Sequence, residues 1–129
     1  MITLIAGSRD ISPKYRKSFM QYITKLNPSY VLAGGARGVD TWAVEWAIRM
    51  NRPYHIEKPN YVEFDPKIAP IMRNRKMAGM CNEVYCFYAG TLSSGTANMV
   101  KEAKAKNRDV TTINVETNLE IKVSQQKLF

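Results

Sequence analysis

Three apolar runs in this chain each break off in a glycine-containing turn, and each turn opens onto a helical pattern. "ITLIAG" runs into "GSRD" (residues 7–10), "YVLAGG" into "GGARGVD" (34–40), and "EVYCFYAG" into "AGTLSSGT" (89–96). A repeated strand–turn–helix order builds βαβ units and a parallel sheet. Crossovers between parallel strands are right-handed, and their helices cover both faces of the sheet. The first run, "ITLIAG", suits a strand buried on both faces. The reading is an α/β domain with a mostly parallel five-stranded sheet. Its strands are expected near residues 2–7, 30–34, 53–57, 84–88 and 110–115, with helices on both faces.

The connecting segments carry their own punctuation. Ser12 is placed to cap a first helix, Pro13 suits its first position, and Asn27-Pro28 stops it. Asp40 reads as the N-cap of a second helix. Trp42 and Trp46 lie four apart on it, as core or as a subunit contact, which leaves a homo-oligomer open. Pro70 begins a third helix. Residues 94–108 form a fourth, with Val100 and Ala103 on its inner face. The Pro-containing connection 58–69 is long for a compact domain, and such loops are often functional. Its Tyr61 and Phe64 offer rings on which a base could stack. The domain is expected to span 1–115, with residues 116–129 as a tail whose alternation suits an edge strand.

In open α/β sheets a ligand sits beyond the carboxyl ends of the strands, where strand order reverses. The three glycine turns should therefore gather on one edge. Glycine lets a ligand approach the backbone, and a helix N-terminus presents free amides and partial positive charge. Together they suit phosphate. The candidates are Gly7, Ser8 and Arg9 in the first turn. The second turn offers Gly34, Gly35, Ala36, Arg37 and Gly38, and the third Ser93, Ser94, Gly95 and Thr96. Arg73, Asn74 and Arg75 would reach in from the third helix. "GGARG" is not the dinucleotide GxGxxG, and no Gly-Lys-Ser/Thr loop occurs.

Charge agrees with an anionic ligand without choosing one. Nineteen Lys and Arg against eleven Asp and Glu leave +8, which favours encounter with anions. The basic residues are dispersed, so nucleic acid is the weaker expectation; only "RNRK" (73–76) is dense. No window approaches the ~18 apolar residues of a membrane span. The first residues lack the features of a secretory signal. Cys81 and Cys86 are too few for a disulfide framework or a four-ligand zinc site, and suit a reduced, cytoplasmic protein. His55, the single histidine, builds no triad or metal cluster, so no metal is expected.

"GSRD", "GGARGVD" followed by "WAVEWA", "RNRKM" and "CFYAGTLSSGT", in this order and spacing, resemble the SLOG superfamily, and within it the YspA/YpsA-type branch. The pattern runs from about residue 2 to 115. The resemblance implies a Rossmann-like domain that binds a nucleotide or nucleotide-derived ligand and requires no other cofactor. Relatives include the Lonely Guy phosphoribohydrolases, the DNA-processing protein DprA and sensor domains for nucleotide signals. The arginine of the Lonely Guy helix motif is matched by Arg75, but the glutamate of its PGGxGTxxE motif falls on Met99. The phosphate side of that chemistry is kept and the carboxylate side leaves its usual place. A sensing or sequestering binder is therefore the first expectation. The rival is an enzyme cleaving a nucleotide N-glycosidic bond, for which Asp10 and Asp40 are the carboxylates near the glycine turns.

Overall fold

A computed structural model describes residues 1–123 of the chain. Strands and helices alternate: β1 (Thr3–Gly7), α1 (Arg16–Leu26), β2 (Val31–Ala33), α2 (Val39–Arg49), β3 (Tyr54–Ile56), α3 (Ala69–Met80), β4 (Glu83–Tyr88), α4 (Ser94–Ala105), β5 (Asp109–Asn114) and β6 (Leu119–Val123). The sheet runs β3-β2-β1-β4-β5-β6. Its first five strands are parallel, and β6 lies antiparallel on β5. The chain builds outward from β1 to β3, then returns to the other side of β1 as β4. Strand order thus reverses between β1 and β4, where such sheets hold their ligands.

Successive residues of a strand point to opposite faces, and β1 feeds two cores in turn. Ile5 packs into one with α1 and α2, through Phe19, Ile23, Trp42 and Trp46. Leu4 and Ala6 pack into the other with α3 and α4, through Met77, Ala78, Met99 and Ala103. Both tryptophans are therefore core residues. Trp46 also donates its indole N–H to Thr24 Oγ1 at 3.0 Å. Phe19 meets Phe87 edge to face at 4.7 Å between centroids, worth about 0.5–1.5 kcal/mol beyond the area buried. Cys81 and Cys86 are buried and free.

Two expectations need correction. The sheet has six strands, not five. Asn114 Oδ1 accepts the Glu116 N–H at 2.9 Å, Asn118 adopts φ 59°, and the chain turns back along β5 as the edge strand β6. Residues 124–129, the rest of the expected tail, lie outside the described residues. The N-cap of α2 is Gly38, not Asp40, which lies inside the first turn. At α1, Ser12 caps a short 3-10 turn, Pro13–Tyr15, that leads into the helix. No helix among the described residues is long and apolar enough to cross a membrane.

Candidate functional site

The β1, β2 and β4 turns meet at the carboxyl edge of the sheet and wall a cleft of two adjoining lobes. One contact fixes the first two turns against each other. Gly38 has φ +77°, and a Cβ there would stand 2.5 Å from the Ser8 carbonyl. Only glycine allows that approach. The following amide, of Val39, donates to the same carbonyl at 3.4 Å.

The larger lobe, about 670 Å³, opens at the β1/β4 switch point. Gly7, Ser8, Arg9 and Asp10 form one wall, and Ala36, Arg37 and Asp40 another. The third is the amino end of α4, Ser93, Ser94, Gly95 and Thr96. Ser93 Oγ accepts the Thr96 amide at 3.3 Å and lies 2.9 Å from Thr96 Oγ1. The Ala97 amide bonds the Ser93 carbonyl, as a helix requires. The amides of Ser94 and Gly95 have no partner within the helix. No acidic residue occupies that first turn, so its positive end is not neutralised locally.

The floor comes from α3. Arg73 donates through Nη1 to the Gly34 carbonyl, and through Nε to Asn74 Oδ1 at 2.9 Å. A Cβ on Gly34 would lie 2.5 Å from Arg73 Nη1 and 2.8 Å from its Cζ, so the glycine makes the arginine's seat. Asn74 is buried and ties the floor to α4, donating to Asn98 Oδ1 at 2.9 Å and the Gly95 carbonyl at 3.4 Å. Asp40 is 6% exposed and accepts the Ala36 amide at 3.1 Å. Burial pushes its carboxyl up from 3.8 to about 6; the Ala36 N–H and the Arg73 charge oppose the rise without cancelling it. Burial also lowers Arg73, against the pull of Asp40. Asp10 and Arg37 pair at 2.6 Å on the rim, both largely exposed, where such a pair contributes little. Arg9, Arg37, Lys67 and Arg73 face Asp10 and Asp40 in this lobe, so cations prevail.

The smaller lobe, about 480 Å³, shares Arg9, Ala36, Arg37, Pro70 and Arg73 with the first. Gly34 and Gly35 line it, and Lys58, Pro59 and Tyr61 bring in the 58–69 connection. Gly38 lines neither lobe and acts through its contact with the β1 turn. Arg75 also lies outside the cleft. It bonds Glu102 across the α3–α4 contact at 3.0 Å. Helix phase explains the split. Asn74 and Met77 are buried, and Arg73 shares their side of α3, whereas Arg75 and Lys76 point outward. Met99, in the position of the hydrolase glutamate, is buried and lines the larger lobe. Lys58, Lys67 and Asn98 were not singled out in the sequence. Only the length of the 58–69 loop pointed toward the two lysines.

No protein-family model matches the chain, and no curated protein does. A solved structure of DNA processing protein A (DprA) from Streptococcus pneumoniae superposes with a TM-score of 0.73 at 23% identity. The two share a Rossmann-like α/β fold with a mostly parallel sheet. The match covers 87% of this chain and 50% of that one, so this chain spans half the length of the DprA chain it matches. The likeness concerns the fold.

Proposed function

We propose that this protein binds a nucleotide or nucleotide-derived ligand in the larger lobe, as a sensor or sequestering protein. The observation that carries the reading is the lobe itself, at the switch point, walled by three glycine turns and predominantly cationic. Its volume falls within the about 300–1,000 Å³ of small-molecule sites. The Ser94 and Gly95 amides and the Thr96 hydroxyl would hold phosphate, with Arg37 and Arg73 as charged partners and "GSRD" against the sugar. The order of the four motifs, which resembles the YspA/YpsA-type branch, supports this reading, and the free, buried cysteines suit a cytoplasmic setting.

A panel of nucleoside mono- and diphosphates should raise the melting temperature for at least one member. A ligand at a hundredfold excess over Kd adds about 2.7 kcal/mol to the native state. No shift across the panel, beside tight and salt-sensitive binding of DNA or RNA, would overturn this in favour of a nucleic-acid binder.

One observation favours an N-glycosidase as the second reading. Asp40 is a buried carboxyl on the lobe wall, and its pKa of about 6 suits either proton donation or charge stabilisation near neutral pH. Because Gly38 caps α2, Asp40→Asn tests catalysis without removing a helix cap. Incubation with each nucleoside monophosphate should release no free base by chromatography. Release that disappears in Asp40→Asn or Asp10→Asn would establish the enzyme instead.

A further inference from the structure

The smaller lobe has no task in the binding of a mononucleotide, yet it is the more uniformly cationic part of the cleft. Its charged lining is Arg9, Arg37, Lys58 and Arg73, with no carboxylate among its lining residues. Arg37 is partly neutralised by Asp10, and Arg73 is held by the Gly34 carbonyl. Arg9 and Lys58 make no salt bridge or side-chain hydrogen bond among the described residues. Cations on a concave surface focus their field and attract a second anion. Tyr61, 58% exposed, adds an aromatic ring beside Arg73 in the same lobe, and Pro59 and Pro70 add flat apolar surface. Phosphate-binding cations beside an open ring form the chemistry that receives a nucleotide.

We infer that the cleft takes a two-part ligand of the dinucleotide class, one phosphate at the α4 amino end and the second nucleotide in the lobe formed by Lys58, Tyr61 and Arg9. The inference rests on the nucleotide-binding reading above and adds its ligand class. Arg73 lines both lobes and stands between the two halves of the ligand. A mononucleotide in the larger lobe leaves Lys58 and Tyr61, which line the smaller lobe alone, facing water. A dinucleotide gains the second set of contacts without losing a second share of translational freedom, which is the advantage of linked binding.

The test is calorimetric titration of the four nucleoside 5′-monophosphates against the four matching 5′-phosphorylated homodinucleotides, with wild-type protein and Lys58→Gln. Lys58 is exposed, so its substitution spares the core. The dinucleotide of the preferred base should bind at least ~10-fold more tightly than its mononucleotide. Lys58→Gln should remove most of that advantage and leave the mononucleotide unchanged. Lys104→Gln, an equal charge loss on the exposed side of α4, should change neither. Equal affinity for the two ligand sizes overturns the inference while the nucleotide-binding reading stands. So does an equal loss for both in Lys58→Gln, which would mark a general field effect. A ten-nucleotide strand binding far more tightly than any dinucleotide would replace the two-part ligand with a strand-binding groove. No binding of any nucleotide sinks this inference and the reading on which it rests.

Discussion

The stability gap between the wild-type protein and its Asp40→Asn variant is expected to change by about 2–3 kcal/mol between roughly pH 4 and pH 7.5, the wild type losing ground as pH rises. The cause is the position of the carboxyl. It is buried on the wall of the larger lobe, and burial lifts its pKa from 3.8 to about 6 despite the Ala36 amide and the Arg73 guanidinium. The folded state therefore keeps a proton that the unfolded chain has released. Folding takes up protons between the two values, and each rise in pH through that window costs stability. Above about 6 both states are ionised and the curve flattens. Asparagine does not titrate, so subtracting its curve removes every other group in common. Denaturant unfolding of both proteins across this range measures the difference. A gap that stays constant would show that folding leaves the Asp40 pKa unshifted, and would remove the physical basis of the glycosidase reading.

The folded chain also shows what a sequence can and cannot disclose. Leu4, Ile5 and Ala6 alternate between two cores, so β1 is apolar on both sides and stands out as an uninterrupted run. The glycine turns were legible for the same reason that they work, because Gly38 meets a carbonyl that no side chain could approach. What was missed depends on contacts remote in sequence. Strand β6 was legible only as alternation in the tail; it exposes both Leu119 and Ile121, so burial does not mark it, and its place as the sixth strand rests on its ladder with β5. An aspartate at the start of a helical pattern suggested a cap. The α2 boundary is instead set earlier, where Val39 bonds Ser8 of another turn. Lys58 and Lys67 reach the cleft from an irregular loop, which has no period from which to read a direction.

The "RNRK" stretch offers the sharpest contrast between neighbours. Arg73→Met should weaken binding of the best nucleotide in the panel by ~10–100-fold, because a charge-assisted contact is worth about 1.5–3 kcal/mol. Arg75→Met should leave affinity unchanged, although it removes the same charge two residues away. Arg73 lines both lobes and lies beside the buried Asp40, whereas Arg75 is spent on Glu102 outside the cleft. Loss of Arg73 also withdraws a charge that holds the Asp40 pKa down, so that carboxyl should rise further above 6 in the variant. Arg73→Lys separates charge from shape. Lysine keeps the cation but not the planar fork, and should recover part of the affinity. Titration calorimetry of the three variants, each checked for an intact melting transition, decides between them. If Arg75→Met loses binding while Arg73→Met keeps it, the ligand lies on the outer side of α3. The cleft at the switch point would then not be its site.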